Sequence, residues 1–244
     1  MENEKYLFGM HPVIEAARAG RKLDKVLVKR GLEGSQYREL LSVLEENGIM
    51  WQYVPVEKLN RMVRGAHQGV VACISQTDFT TLEELVEKAL SGGKAPLLAI
   101  LDGVTDVRNF GAVARSLECA GGSGIIVSET GGAPVNAEAV KASAGALMRL
   151  DVCRTNLKVA AYYLKQSGFR IVAVTEKTDR LIYDTDFTGP CALVLGSESK
   201  GISRFMLSES DDAAAIPMSG EITSLNVSAA AAVAFYEAVR QRMK

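Results

Sequence analysis

The chain is short of the side chains that much enzyme chemistry recruits. It holds two histidines, His11 and His67, in 244 residues. Zinc sites and histidine-based triads both draw on that side chain, so both are poorly supplied. The four cysteines, Cys73, Cys119, Cys153 and Cys191, lie far apart and form no CxxC pair. They read as buried thiols in a reducing compartment, not as a disulfide framework. The opening Met1-Glu-Asn-Glu-Lys has no signal-peptide character, which points to the cytoplasm. No apolar run approaches 18 residues without a charge or a glycine, which argues against a membrane span. A charge excess is missing as well. The net charge is -1 and the pI is near 6.2, whereas a basic domain is the usual footprint of a nucleic-acid binder.

What is present suits a globular protein. The sequence is 48% hydrophobic and 23% charged, enough for a buried core under a solvated surface. Its length fits one large or two small domains. Charge is unevenly spread. Residues 1–70 carry 11 Lys/Arg against 9 Asp/Glu, a net of +2, and residues 71–244 carry 17 against 20, a net of -3. Six of those 11 basic residues are Arg18, Arg21, Lys22, Lys25, Lys29 and Arg30. A solvated helix end with a strand edge, or an RNA-contacting patch, would each account for them.

The patterning predicts two domains. Over residues 1–75 short helices (12–19, 37–47, 56–63) alternate with short strands (25–29, 51–54, 70–74), the mark of a small α/β module. Residues 76–95 are polar, contain one amphipathic helix and reach Gly92-Gly93, and read as a linker or bridging helix. From residue 96 strongly apolar strands (97–101, 124–127, 170–174, 192–195, 213–216) are separated by helices (109–120, 137–144, 157–166, 203–207, 224–242). That alternation predicts a parallel sheet covered on both faces over residues 96–244. Ligands bind beyond the carboxyl ends of such strands, so the loops there are where chemistry is expected.

Three such loops stand out. The first is Leu101-Asp-Gly-Val-Thr-Asp-Val-Arg-Asn109-Phe-Gly-Ala-Val-Ala-Arg115. Asn109 is a favoured helix cap, Gly111 would allow close packing, and Arg115 follows Asn109 by nearly two turns, on a shared face. The second is Leu195-Gly196-Ser-Glu198-Ser-Lys-Gly201, in which a buried strand runs into a glycine and then a carboxylate. The third is Ile216-Pro-Met-Ser-Gly-Glu-Ile-Thr-Ser224-Leu225-Asn226-Val-Ser, a polar loop that opens an alanine-rich helix. Each has a plain structural reading: a cap, a glycine turn, a tightly packed helix. A dinucleotide-binding or classical methyltransferase fold is the rival. Its glycines, Gly121-Gly-Ser-Gly124, follow a helix and precede a strand, the wrong order for a pyrophosphate loop.

In series, the three segments resemble the motifs of the SpoU (TrmH-like) RNA ribose 2′-O-methyltransferases, of the trefoil-knotted SPOUT superfamily. Phe8-Gly-Met-His-Pro-Val-Ile-Glu-Ala16 and His67-Gln-Gly-Val-Val-Ala72 resemble the substrate-binding domain that precedes the catalytic domain in many members. The resemblance is nearest to the subgroup acting on a guanosine of large-subunit ribosomal RNA, with transfer RNA the other substrate class. It implies a small α/β substrate-binding domain, a knotted parallel-sheet carboxyl-terminal domain, S-adenosylmethionine as methyl donor, no metal, and a homodimer with its site near the subunit interface. By position it implies Asn109, Arg115, Glu198, Ser224 and Asn226 as active-site residues, and Gly196, Ile216 and Leu225 as lining of the methyl-donor pocket. Val107 stands where the family often has proline, a change that removes no reactive group. Arg115 matches the residue usually taken as the base. A guanidinium has a pKa above about 12, so holding an RNA phosphate and stabilising a developing alkoxide is an equal alternative.

Overall fold

The computed structural model describes residues 6–19, 21, 23–74 and 79–243. Met1–Lys5, Lys22 of the basic cluster and residues 76–78 of the expected linker lie outside the described residues. The chain divides into two compact units, residues 1–78 with 134–137, and residues 79–133 with 138–244.

In the first unit, strands β1 (Tyr6–Phe8), β2 (Leu23–Lys29), β3 (Trp51–Val54) and β4 (Val70–Ile74) alternate with helices α1 (Met10–Arg18), α2 (Ser35–Glu46) and α3 (Val56–Met62). The sheet order is β1-β4-β2-β3, with β4 antiparallel to both neighbours and β2 parallel to β3. Period-two alternation gives each face its own core. Val26, Val28, Val70 and Ala72 pack with Val13 and Ile14 of α1 and Leu40 and Leu44 of α2. On the other face Leu27, Val54 and Val71 pack with Leu59. Full burial of a leucine such as Leu40 or Leu44 stabilises by about 1.5–3 kcal/mol.

The second unit holds β5 (Phe79–Thr80), α4 (Leu82–Ser91), β6 (Leu97–Asp102), α5 (Val107–Cys119), β7 (Gly124–Ser128), α6 (Ala137–Ala142), β8 (Asp151–Thr155), α7 (Leu157–Gln166), β9 (Arg170–Val174), β10 (Cys191–Gly196), α8 (Arg204–Glu209), β11 (Asp212–Ala214) and α9 (Val227–Arg242). Every pairing in its seven-stranded sheet, β11-β9-β10-β6-β7-β8-β5, is parallel. The expected parallel α/β sheet is therefore present, with two strands that patterning missed. One is β8, whose Asp151 and Arg154 break the apolar run; Asp151 pairs with Lys88 at 2.6 Å and Arg154 lies over the Phe79 ring at 4.0 Å. The other is β5, only two residues long.

Residues 79–91, read as part of a linker, form β5 and α4 of this unit. Thr81 and Glu84 make a reciprocal capping box at the start of α4. Leu82, Leu85, Val86 and Ala89 of α4 belong to the same core as Leu98 and Ile100 of β6. Amphipathicity alone could not say which core the apolar face would join. One cysteine reading also needs correction. Cys73, Cys153 and Cys191 are buried, but Cys119, in the last turn of α5, is exposed, because its position falls on the outer side of an amphipathic helix.

The far end of α9 is firmly held. Arg242 donates to the carbonyls of Ala95 at 2.8 Å, Phe187 at 2.8 Å and Gly189 at 2.9 Å. Gln241 accepts from the Phe187 amide at 2.9 Å and donates to the Thr185 carbonyl at 2.8 Å. The buried Glu237 accepts from Arg240 and Gln241.

Candidate active site

Three loops meet at the carboxyl ends of β6 and β10. These strands are adjacent and parallel, with Gly196 opposite Asp102, so the first two expected segments leave the sheet at one level. Asp102 accepts from the Ser203 amide at 2.7 Å and ties the second loop to the first strand.

Helix α5 starts two residues earlier than expected. Asp106, not Asn109, is its cap, accepting from the amides of Arg108 at 2.9 Å and Asn109 at 2.8 Å. Relieved of capping, the Asn109 side chain is available for other partners. Gly111 packs closely, as expected: a Cβ there would lie 2.5 Å from the Cβ of Ala142.

Gly196 is required for a reason the strand pattern did not show. The chain turns back on itself through paired bonds between Ser197 and Gly201, 3.1 and 2.8 Å, and the Lys200 amide donates to Ser197 Oγ at 3.1 Å. A Cβ on Gly196 would sit 2.2 Å from the Gly201 carbonyl carbon and 2.3 Å from the Ile202 nitrogen. The glycine is needed because it admits the chain's own backbone. The tight turn projects Glu198 outward.

Helix α9 begins at Val227, so Ser224 and Leu225 belong to the loop before it, not to its first turn. Asn226 caps it: Oδ1 accepts from the Ser228 amide at 2.9 Å and from Ser228 Oγ at 2.6 Å. Its Nδ2 donates to Glu198 Oε1 at 2.6 Å and to Asn109 Oδ1 at 3.1 Å, and Asn109 Nδ2 donates to the same Glu198 oxygen at 2.9 Å. Asn109, Glu198 and Asn226, one from each segment, thus close a triangle of hydrogen bonds. An ionised carboxylate only accepts, and here two amides supply the donors.

A cleft of about 430 Å³ opens beside this triangle. Gly196, Glu198, Ile216, Ser224, Leu225 and Asn226 line it. Arg115 does not. It is exposed on α5 and has no hydrogen-bond or ion-pair partner among the described residues. Thr175, Glu176 and Lys177, just past β9, also line the cleft and were not foreseen. Their signal was their place after a recognised parallel strand. Apolar Ile202, Ile216 and Leu225 and the polar Thr175, Glu198 and Asn226 give the cleft walls of both kinds. Such a cleft can orient a ligand with an apolar body and a few polar anchors.

The sequence pattern of the SpoU rRNA Methylase family matches residues 96–236. That of the RNA 2′-O ribose methyltransferase substrate-binding domain matches residues 6–80. YacO of Bacillus subtilis (strain 168), whose name places it in the TrmH family of tRNA/rRNA methyltransferases, is 33% identical over 242 residues, 99% of this chain and 97% of YacO. An uncharacterized tRNA/rRNA methyltransferase of Mycobacterium sp. (strain KMS) is 35% identical over 99% of this chain and 78% of its own. Among solved structures, the SpoU methyltransferase AviRb from Streptomyces viridochromogenes, in complex with the cofactor AdoMet, superposes with a TM-score of 0.62 at 27% identity, covering 98% of this chain and 90% of AviRb.

Proposed function

The chain belongs to the SpoU rRNA methylase family, and from that premise we propose that it transfers a methyl group from S-adenosylmethionine to a ribose 2′-hydroxyl of RNA. We assign the target to a guanosine of large-subunit ribosomal RNA. The observation that carries the reading is the triangle of Asn109, Glu198 and Asn226 at the mouth of the cleft. It joins the three segments that carry the family pattern and gives them one geometric purpose.

The cleft residues suit the methyl donor. The volume falls in the range of about 300–1,000 Å³ common for small-molecule pockets. Ile216 and Leu225 offer apolar surface to an adenosyl group, and Thr175, Ser224 and Lys177 offer polar anchors to its charged end. When bound, S-adenosylmethionine supplies a methyl carbon already attached to a sulfonium leaving group. The protein's contribution is then alignment of the ribose oxygen and management of its proton. Asn109, locked by Glu198, orients the ribose or Arg115. Ser224 and Asn226 form the wall against which ligands rest. Arg115 extends from α5 with its fork unengaged. It grips the adjacent phosphate and stabilises the developing alkoxide, whose proton leaves to solvent water.

A second copy of the chain completes the proposal. The loop before α9 and α9 itself expose large apolar side chains, Ile222 at 76% and Tyr236 at 51%, and a homodimer through this region would cover them. We assign RNA binding to residues 1–75 and methyl transfer to residues 96–244, a division that the pattern matches support.

Mapping of ribose methylation in RNA from cells with and without the gene tests the assignment. A single large-subunit guanosine losing its methyl group is the expected result. Loss at a transfer-RNA position replaces the substrate class, and no lost methyl group together with no S-adenosylmethionine binding by calorimetry leaves only an RNA-binding protein of the same fold.

A further inference from the structure

Three loops converge at one end of the amino-terminal sheet. Phe8 pairs with Val71 and Val28 with Val70, so β1 and β2 both finish where β4 begins. The Lys29 amide donates to the Gly69 carbonyl at 2.7 Å, and the Gly9 amide to the Val70 carbonyl at 3.0 Å. The chain at Gly69 and Val70 is thereby fastened to Lys29 and Gly9. A Cβ on Gly69 would lie 3.1 Å from that of Lys29, and one on Gly65 would lie 2.8 Å from the Phe8 ring.

The backbone here is held in a costly shape. Gln68 has φ of 51° although it is not glycine. Its Oε1 accepts from the Met10 amide at 3.2 Å. Buried His67 meets Asn60 Oδ1 through Nε2 at 2.8 Å, and its Nδ1 accepts from the Gly69 amide at 3.0 Å. Left-handed backbone at a residue with a side chain is strained and concentrates at functional surfaces.

The charge on these loops is one-sided. Lys29 ends β2, Arg30 follows it, Arg61 lies in the last turn of α3 and Arg64 in the loop after it, and the carboxylates nearest in sequence are Glu33 and Glu57. All four side chains are exposed, and none of these side chains has a hydrogen-bond or ion-pair partner among the described residues. The basic cluster read from sequence is therefore divided. Arg18 is engaged by Glu15 and Glu39, Lys29 and Arg30 are unengaged, and so are Arg61 and Arg64 on the stretch that leads into Gly69. Four exposed, unengaged cations in a chain of net charge -1 offer a positive surface to an anion from outside.

We infer that this end of the amino-terminal sheet, through Lys29, Arg30, Arg61 and Arg64, is the surface on which the domain grips the phosphate backbone of its RNA. The inference rests on the RNA reading above and locates the contact. Each phosphate contact adds about 0.7–0.9 to the slope of log affinity against log salt.

The test is a titration of in-vitro-transcribed 23S ribosomal RNA with the full chain, between about 50 and 200 mM salt. Arg30→Ala with Arg64→Ala should weaken binding and flatten the slope by about 1.4–1.8. Lys29→Ala with Arg61→Ala should do the same, so the result does not hang on one folded variant. Arg18→Ala with Arg21→Ala, away from these loops, should leave the slope unchanged. Both outer pairs folding and binding with the wild-type slope would sink this surface alone. So would an equal loss in the Arg18/Arg21 variant. A wild-type chain that binds neither RNA nor S-adenosylmethionine would overturn the reading on which it rests as well. Retained RNA affinity in both pairs, with an acidic peptide or protein lost instead, would reassign the surface to that partner.

Discussion

The side-chain amide of Asn226 donates to Glu198 at 2.6 Å, joining residues 28 apart in the chain. The bond links the cap of α9 to the turn after β10, and Asn109 joins both from α5. All three side chains are reachable by solvent, so the triangle can meet a ligand without opening a core.

Glu198 is the acceptor at the centre. Glu198→Ala should lower kcat/KM for methyl transfer by about tenfold to a hundredfold, the worth of one or two bonds to a charged acceptor near solvent. Glu198→Gln keeps a carbonyl acceptor and should fall between. Steady-state assays on RNA decide it; a wild-type rate in the alanine variant would remove Glu198 from the site.

Arg115 tests the geometry of charge. Arg115→Lys keeps the charge and loses the planar fork. A fall of about tenfold or more in single-turnover rate is expected with RNA pre-bound. Full retention of that rate would mean Arg115 is not required there.

Gly196 tests the turn. Gly196→Ala drives a Cβ into the Gly201–Ile202 backbone, and should destabilise the fold by about 1–3 kcal/mol by overpacking. Affinity for S-adenosylmethionine should fall with it, because the same turn lines the cleft. Urea melts and calorimetry read the two effects separately; unchanged values in both would show that the turn relaxes freely.

Glu237 sets an acid limit. Its bonds to Arg240, the largest cause, and to Gln241 hold its carboxyl below the ordinary value of 4.5, against the opposing effect of burial. A folded value lower than the unfolded one contributes stability above the unfolded value and loses it as pH falls through the folded one. Glu237→Gln should therefore lower the melting temperature at neutral pH, and the gap to wild type should narrow below about pH 4.5. A gap independent of pH would contradict this.

Thiol accessibility follows burial. Burial raises Cys153 to about 12, and raises Cys191 to about 11 despite the opposing Arg242. Iodoacetamide near neutral pH should label Cys119 in the native chain and the other three only after unfolding. Mass spectrometry of labelled peptides reads it, and rapid native labelling of Cys153 would show that this core opens.

Much of this architecture was legible in the residues. Helix α7 occupies Leu157–Gln166, the span that the apolar pattern predicts, and the structure adds Asn156 as its cap. The three loops were recognisable because each follows an apolar strand. Their convergence could not be read, since it depends on strand order, in which Leu97 of β6 lies opposite Cys191 of β10. Asp106 outcompeted Asn109 as a cap because both are good cap residues, and local preference does not rank them. Strand β8 was hidden because charge interrupts its alternation. Thr175–Lys177 went unremarked because no glycine marks that loop, although its place after β9 was available.

Asn226 uses both ends of one amide. Its oxygen starts α9 and its nitrogen closes the triangle. Aspartate would keep the cap but set a second carboxylate against Glu198, and serine or threonine would cap without reaching across. Glutamine has the right group on too long a stem. Folding of the last helix and assembly of the site are thus written into a single codon, and evolution cannot adjust one without disturbing the other.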